Sequence, residues 1–245
     1  MAKAPELASL PIFGALNPPS PDFHFQMGAI LLLNKPQEWT SFDTVKYLRG
    51  RLKCKKVGHA GTLDPMATGL LILCTGKATK TIDQIQGQEK TYIAEITFGG
   101  RTASYDAESK VEQEAPFHHI TTEHIQQVLK EHFLSEIMQV PPMYSALKRK
   151  GKKLYELARR GKEIKLEPRP ITIYSSRIIS FEAPKLNIEI TCSKGTYIRS
   201  IAHDLGIALG SLGYLSALDR THIGKFLSTD ALTPHQYHQI LRPNG

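Results

Sequence analysis

The chain has 245 residues, 41% of them hydrophobic, which is ample for a buried core and excludes a disordered polypeptide. Lysine and arginine outnumber aspartate and glutamate 31 to 23, a formal charge of +8 that favours a polyanionic partner without separating RNA from DNA. Cys54, Cys74 and Cys192 form no C-x-x-C pair, which argues against a zinc or dithiol site and fits a reducing cytoplasm; the apolar runs at 29–33 and 70–74 are far shorter than the roughly 20 residues of a membrane helix.

The opening stretch carries five prolines before Gln26 and lacks the pattern of a secretory signal, so residues 1–27 are expected to form a mobile or loosely docked tail. From Ala29 an apolar strand runs until Lys35-Pro36 ends it. Ser41 is the expected N-cap of a helix over 42–52, with Phe42, Val45, Leu48 and Leu52 at helical spacing. Residues 58–69, with three glycines and a proline, form a loop between core segments, which makes it a ridge over a cleft. A strand at 69–74, a short helix around 77–86 and a strong strand at 90–98 follow. Ile125, Val128, Leu129 and Phe133 mark a helix over 121–133, capped by Thr121 or Thr122. Strands are expected at 170–180 and 186–192, a helix over 196–209 opening on Gly195, and a last short helix from Thr233-Pro234. Between the 121–133 helix and those strands, residues 148–165 hold nine Lys or Arg, with a helix expected to start near Lys152. The irregular alternation predicts an α+β fold around one mixed sheet.

Asp64 is the first chemical candidate, because glycines clear bulk around it and Pro65 fixes its turn. An isolated L-D-P is more often a turn aspartate bonded to its own backbone. His59 could serve as base, metal ligand or stacking wedge; no second ligand at metal spacing accompanies it. The T-G-K-A-T run at 75–79 superficially resembles a phosphate loop, yet Ala78 replaces the magnesium-binding hydroxyl and Leu71 stands where the first glycine belongs. Tyr92 and Tyr197 can stack on an extruded base or simply be half-buried tyrosines. Arg199, near a helix N-terminus whose dipole it opposes, points to a negative partner. The 148–165 stretch reads either as a solvated helix face or, given the prolines and tyrosine before it, as a stiff arm along a phosphate backbone.

Taken together, N-K-P with a following serine (34–41), G-H-A-G-T-L-D-P-x-A-T-G (58–69), K-T-Y (90–92), Q-V-P-P-x-Y-S-A-L-K (139–148), L-Y-E-L-A-R-R-G (154–161) and S-K-G-T-Y-I-R-S (193–200) resemble, in order and content, the TruB family of tRNA pseudouridine synthases. The resemblance runs from about Gly28 to Phe226. It implies a pseudouridine synthase fold, an α+β fold with a central, mixed but mostly antiparallel sheet flanked by helices and loops. It also implies isomerisation of the uridine at position 55 of the tRNA T-loop by base flipping, with no cofactor; the lack of ligand spacing and of long apolar runs adds the expectation of no metal and no membrane, and no obligate protein partner is implied. By that resemblance Asp64 is the nucleophile, Arg199 the active-site cation paired with it, Tyr92 the stacking tyrosine and His59 the residue that fills the place of the extruded base. Tyr197 and Leu218 fall where the family lines its uracil pocket. Lys35, Lys148, Arg149, Lys152, Arg159 and Arg160 are the expected RNA contacts.

The expected organisation is a catalytic domain over 28–232, with a basic arm at about 139–165, then a short helix at 233–245 and no C-terminal RNA-binding PUA domain. Two departures stand out. Around Asp106 the family shows T-D-T-x-D-A-x-G where this chain has T-A-S-Y-D-A-E-S, and Asp219 occupies a position where the family tends to place an arginine. A non-catalytic tRNA-binding or tRNA-folding protein is the alternative function, and it would have no need of the aspartate loop.

Overall fold

The computed structural model describes residues 5–145, 148–149, 152–153, 164 and 166–242. They fall into two compact units, residues 1–92 with 219–245, and residues 93–218. In the first, β1 (Ile12–Phe13) precedes β2 (Ile30–Lys35), helix α1 (Ser41–Leu52), β3 (Val57–His59), β4 (Thr68–Thr75) and helix α2 (Ile82–Gln86). The chain enters the second unit within β5 (Lys90–Phe98). There it forms β6 (Gly100–Thr102), β7 (Val111–Glu114), α3 (Thr122–His132), β8 (Ser135–Gln139), the short pair β9 (Lys148–Arg149) and β10 (Lys152–Lys153), β11 (Arg169–Glu182), β12 (Lys185–Cys192) and α4 (Ile198–Ala208). It returns within β13 (Gly213–Ile223) and ends with β14 (Phe226–Leu227) and α5 (Pro234–Ile240).

Strand order in the first unit is β1-β2-β4-β13, with β3 on β4 and β14 on β13. The β1/β2 and β4/β13 pairs are parallel and the β2/β4, β3/β4 and β13/β14 pairs antiparallel. In the second unit the order is β13-β5-β12-β11-β8, and the β12/β11 and β11/β8 pairs are antiparallel. The fold class is α+β with mixed pairing, as the pattern of strands and helices predicted.

β2 and β4 read as unbroken apolar runs because both their faces are covered. Leu31, Leu33, Leu71 and Leu73 pack with Val45, Leu48 and Leu52 of α1 and Tyr237 of α5. Ile30, Leu32, Leu70 and Ile72 pack on the opposite side with Ala60, Ile85, Ile223 and Phe226. In the second unit β12 alternates, burying Leu186, Ile188, Ile190 and Cys192, and α3 turns Ile125, Val128 and Leu129 inward onto α4 and β11.

Several expectations change. The opening segment, expected as a loose tail, is packed from β1 onward. Phe13, Phe23 and Phe25 meet edge to face at 4.8–6.1 Å, and the Tyr237 hydroxyl donates to the Phe13 carbonyl at 2.7 Å. Three aromatics outweigh the prolines, which only shape the turns between contacts. The cap of α1 is Thr40, in a capping box with Asp43, and Ser41 is the first helical residue. Where a helix was expected from Lys152, Lys152–Lys153 forms a strand pairing Lys152 with Arg149 and Lys153 with Lys148. The rest of that expected helix lies outside the described residues. β13 was not anticipated: its buried positions, Gly213, Leu215, Leu218, Arg220 and Ile223, alternate only in part, which hides the strand period.

Candidate active site

The aspartate loop belongs to the first unit. β3 sets His59 opposite Leu73, and the Ala60 N–H donates to Ile72 O at 2.8 Å, so the chain leaves the sheet at a fixed point. The Ala67 N–H then donates to Asp64 O at 3.1 Å, closing a turn with Pro65 at its second position. Leu63 and Met66 anchor the loop in the core while Asp64 between them is half-buried.

Three side chains from elsewhere hold the loop backbone. Ser41 Oγ accepts the Leu63 N–H at 2.9 Å and lies 3.2 Å from Leu63 O. Lys35, wholly buried, donates its ammonium to the carbonyls of Pro36 (2.9 Å), Trp39 (2.6 Å) and Pro65 (3.2 Å). Arg220, 1% exposed, donates to Leu70 O (2.8 Å), Thr62 O (3.4 Å) and Gly61 O (3.1 Å). Lys35 was expected on the RNA. Its burial instead makes it a clamp on the residue next to Asp64, since an ammonium engaged by three carbonyls inside the fold has no reach to a phosphate. Arg220 was not anticipated, and only its position on an alternating strand could have signalled it.

Gly69 explains part of the motif's spacing. Its φ is +96°, and a Cβ there would lie 2.5 Å from Arg220 O and 2.7 Å from Asp219 Oδ1. Asp219 itself, where the family places an arginine, accepts the Thr68 hydroxyl at 2.7 Å and so ties β13 to β4. Burial, reinforced by the charge of Arg220 and opposed by the backbone of Gly61, lowers the pKa of His59 and favours its neutral form. Tyr92, on β5 in this same unit, is 8% exposed.

In the second unit Arg199 stands on the first turn of α4, 4% exposed. Its guanidinium donates to Ser104 O (3.2 Å) and Tyr144 O (2.9 Å) and meets Asp106 Oδ2 at 3.3 Å. Asp106 is 1% exposed, and its other oxygen accepts the Ser104 hydroxyl at 2.5 Å and the Glu108 N–H at 3.0 Å. Ser109, which replaces the family's glycine, places its hydroxyl 2.8 Å from that of Ser104. The altered motif therefore builds a hydroxyl-lined seat for the carboxylate. Tyr105, at φ +61°, lays its ring flat on His203 at 3.9 Å, beside this seat.

Tyr197 caps α4, and its backbone is clamped by Gln139, which accepts the Tyr197 N–H at 2.8 Å and donates to its carbonyl at 3.1 Å. Ser200 Oγ donates to Val140 O at 2.9 Å, and Pro141 and Pro142 are buried. Residues 139–145, expected to begin a stiff arm along a phosphate backbone, are instead packed against the start of α4. Leu218 is 8% exposed on β13. Lys148, Arg149 and Lys152 lie on the β9/β10 pair, and Arg159 and Arg160 lie outside the described residues. No group of three or more metal-ligating side chains forms among the described residues, and no described helix is long and apolar enough to cross a membrane.

Among solved structures, that of a Cbf5-Nop10-Gar1 complex superposes with a TM-score of 0.68 at 29% identity, over 91% of this chain but only 56% of that one. The tRNA pseudouridine synthase B of Parabacteroides distasonis is 45% identical over 226 residues, which span 90% of this chain and 96% of that protein. Its Flavobacterium johnsoniae counterpart is 46% identical over 206 residues, 81% of this chain and 90% of that one. Residues 49–198 match the TruB family pseudouridylate synthase (N terminal domain). Fold and sequence together define an isomerase of the pseudouridine synthase class. Within that class, the chain belongs to the TruB family.

Proposed function

We propose that this chain converts the uridine at position 55 of the tRNA T-loop to pseudouridine, with Asp64 as the nucleophile. The observation that carries the reading is the aspartate loop, whose backbone is fixed by Lys35, Ser41 and Arg220 around a half-buried carboxylate. Relatives named tRNA pseudouridine synthase B, aligned over most of the chain, support the substrate.

The reaction breaks the bond from C1′ to N1, turns the uracil and joins C1′ to C5. A stacked base must first leave its helix, at a cost of about a few kcal/mol that stacking on Tyr92 and insertion of His59 offset. A neutral imidazole suits that insertion, because a charged one would resist leaving water. Asp64 acts as the ionised carboxylate; Arg199, seated by Asp106, supplies the active-site cation that the family resemblance implies. Tyr197 and Leu218 contact the uracil. No cofactor takes part, since the isomerisation is redox-neutral and the base remains on the enzyme throughout.

Mapping pseudouridine in one tRNA transcript before and after incubation tests the reading. Product at position 55 is expected, together with its loss in Asp64→Ala while that variant still binds tRNA. Modification elsewhere only, or turnover surviving in Asp64→Ala, would overturn it.

A further inference from the structure

The 20 residues between Asp43 and Asp64 contain six lysines and arginines and no acid. Structure divides these cations by task. Arg51 turns to α5, its Nε and Nη2 lying 3.2 and 2.9 Å from His238 Nε2. Lys46, Arg49, Lys53, Lys55 and Lys56 are all exposed. Phe42, Lys46, Arg49 and Lys53 recur at i, i+4, i+7 and i+11, which sets them along one stripe of α1, led by a ring that is 62% exposed.

The turn after the helix extends the stripe and is rigidly tied. Arg49 Nη2 donates to Lys55 O at 2.7 Å, the Gly76 N–H donates to Lys56 O at 2.8 Å, and Cys54 is buried in the core beneath it. Asp43, the nearest acid in sequence, is engaged by the Thr40 N–H and hydroxyl at 2.9 and 2.6 Å. Among the described residues none of the five exposed cations forms an ion pair. A stretch that keeps five like charges on fixed backbone with no acid in its own sequence, bordered by Asp43 near Lys46 and Asp22 near Lys53, suits a polyanion with regularly spaced charges.

The stripe is also oriented relative to the aspartate loop. Ser41, the first residue of α1, holds Leu63 beside Asp64, and Lys53 lies 12 residues further on, about 18 Å along the axis at ~1.5 Å per residue. We propose that this stripe and turn bind the phosphate backbone of the substrate RNA beyond the reacting loop, with Phe42 available to stack where the strand meets α1. The proposal rests on the function argued above and adds to it a second RNA-binding surface, separate from the basic residues at 148–165.

The test compares wild type with K46Q/K53Q/K55Q/K56Q, which leaves the Arg49 tie intact, and with the matching quartet of Lys→Arg changes. On full-length tRNA the glutamine variant is expected to show KM raised about tenfold at 0.15 M salt and kcat within twofold. Its slope of log affinity against log salt should be shallower by about 3 to 4, roughly 0.9 for each phosphate no longer neutralised. The arginine quartet should retain the wild-type slope. A hairpin trimmed to the loop and three base pairs has too little backbone to run the length of the stripe to Lys53, so the glutamine variant should lose less on it than on full-length tRNA. An unchanged KM and slope on tRNA would overturn the proposal, as would an equal loss on the hairpin or failure of the arginine quartet to retain the slope. A wild-type protein that makes no pseudouridine would instead refute the function, and the slopes from binding alone would still decide this surface.

Discussion

Lys35 ends an apolar strand with its ammonium inside the fold, and the carbonyls of Pro36, Trp39 and Pro65 replace the water it has lost. Lys35→Met keeps the shape but orphans those carbonyls, so stability should fall by about 2 kcal/mol and the melting temperature by several degrees. The salt dependence of tRNA binding should stay put; a shallower slope with an unchanged melt would return Lys35 to the RNA surface. Arg199 makes a different demand, because two carbonyls and a carboxylate use its planar fork. Arg199→Lys should lower kcat about 100-fold, and Asp106→Asn, which leaves the guanidinium without its counter-charge, about tenfold. Wild-type rates in single-turnover assays would remove both residues from the machinery. The turn around Asp64 was legible in the sequence from its glycines and proline, while a chemical role for it came only from the family resemblance. Lys35, Asp106 and Arg220 were not, since whether a charged side chain is buried depends on what folds over it.

At the scale of the element, α4 places two opposed titrations side by side. Burial, then the charge of Arg101, push His203 down from its usual 6.5 to about 4. Burial pushes Asp204 up from 3.8 to about 6. For His203 the unfolded chain binds the extra proton, so stability is lost as pH falls from 6.5 towards 4. For Asp204 the folded chain binds it, so stability present below 3.8 is lost as pH rises through 6. The two slopes offset each other between about 4 and 6. Asp204→Asn should therefore gain about 1 kcal/mol near pH 8, after allowance for solvent screening, and lose stability more steeply on acidification. Denaturant titrations at pH 8 and pH 5 check this; a variant weaker at pH 8 would contradict the burial argument. α4 itself was legible from its apolar stripe, as was β5. The β9/β10 pair was not, because a run of lysines carries no period of either kind, and β1 was hidden by prolines that sit in its flanking turns.

Across the whole molecule, the α+β class could be read from alternating elements, but the division into two units could not. The chain changes unit inside β5 and again inside β13, where strand composition continues and no linker marks the passage. The packed opening segment carries the clearest prediction. Phe13 is 7% exposed among Phe23, Phe25 and the α5 tyrosine, so Phe13→Ala should cost about 3 kcal/mol. A cooperative melt shifted down by several degrees is the expected reading, and an unshifted one would make the segment an ornament on the fold.

Arg220 grips Gly61 and Thr62 from 159 and 158 positions downstream. During synthesis that grip cannot close until Arg220 itself has been added, long after Gly61 and Thr62. A nascent polypeptide thus carries Asp64 on a loop tied by Lys35 and Ser41 alone until β13 is made, and a product broken before Arg220 never gains the third tie.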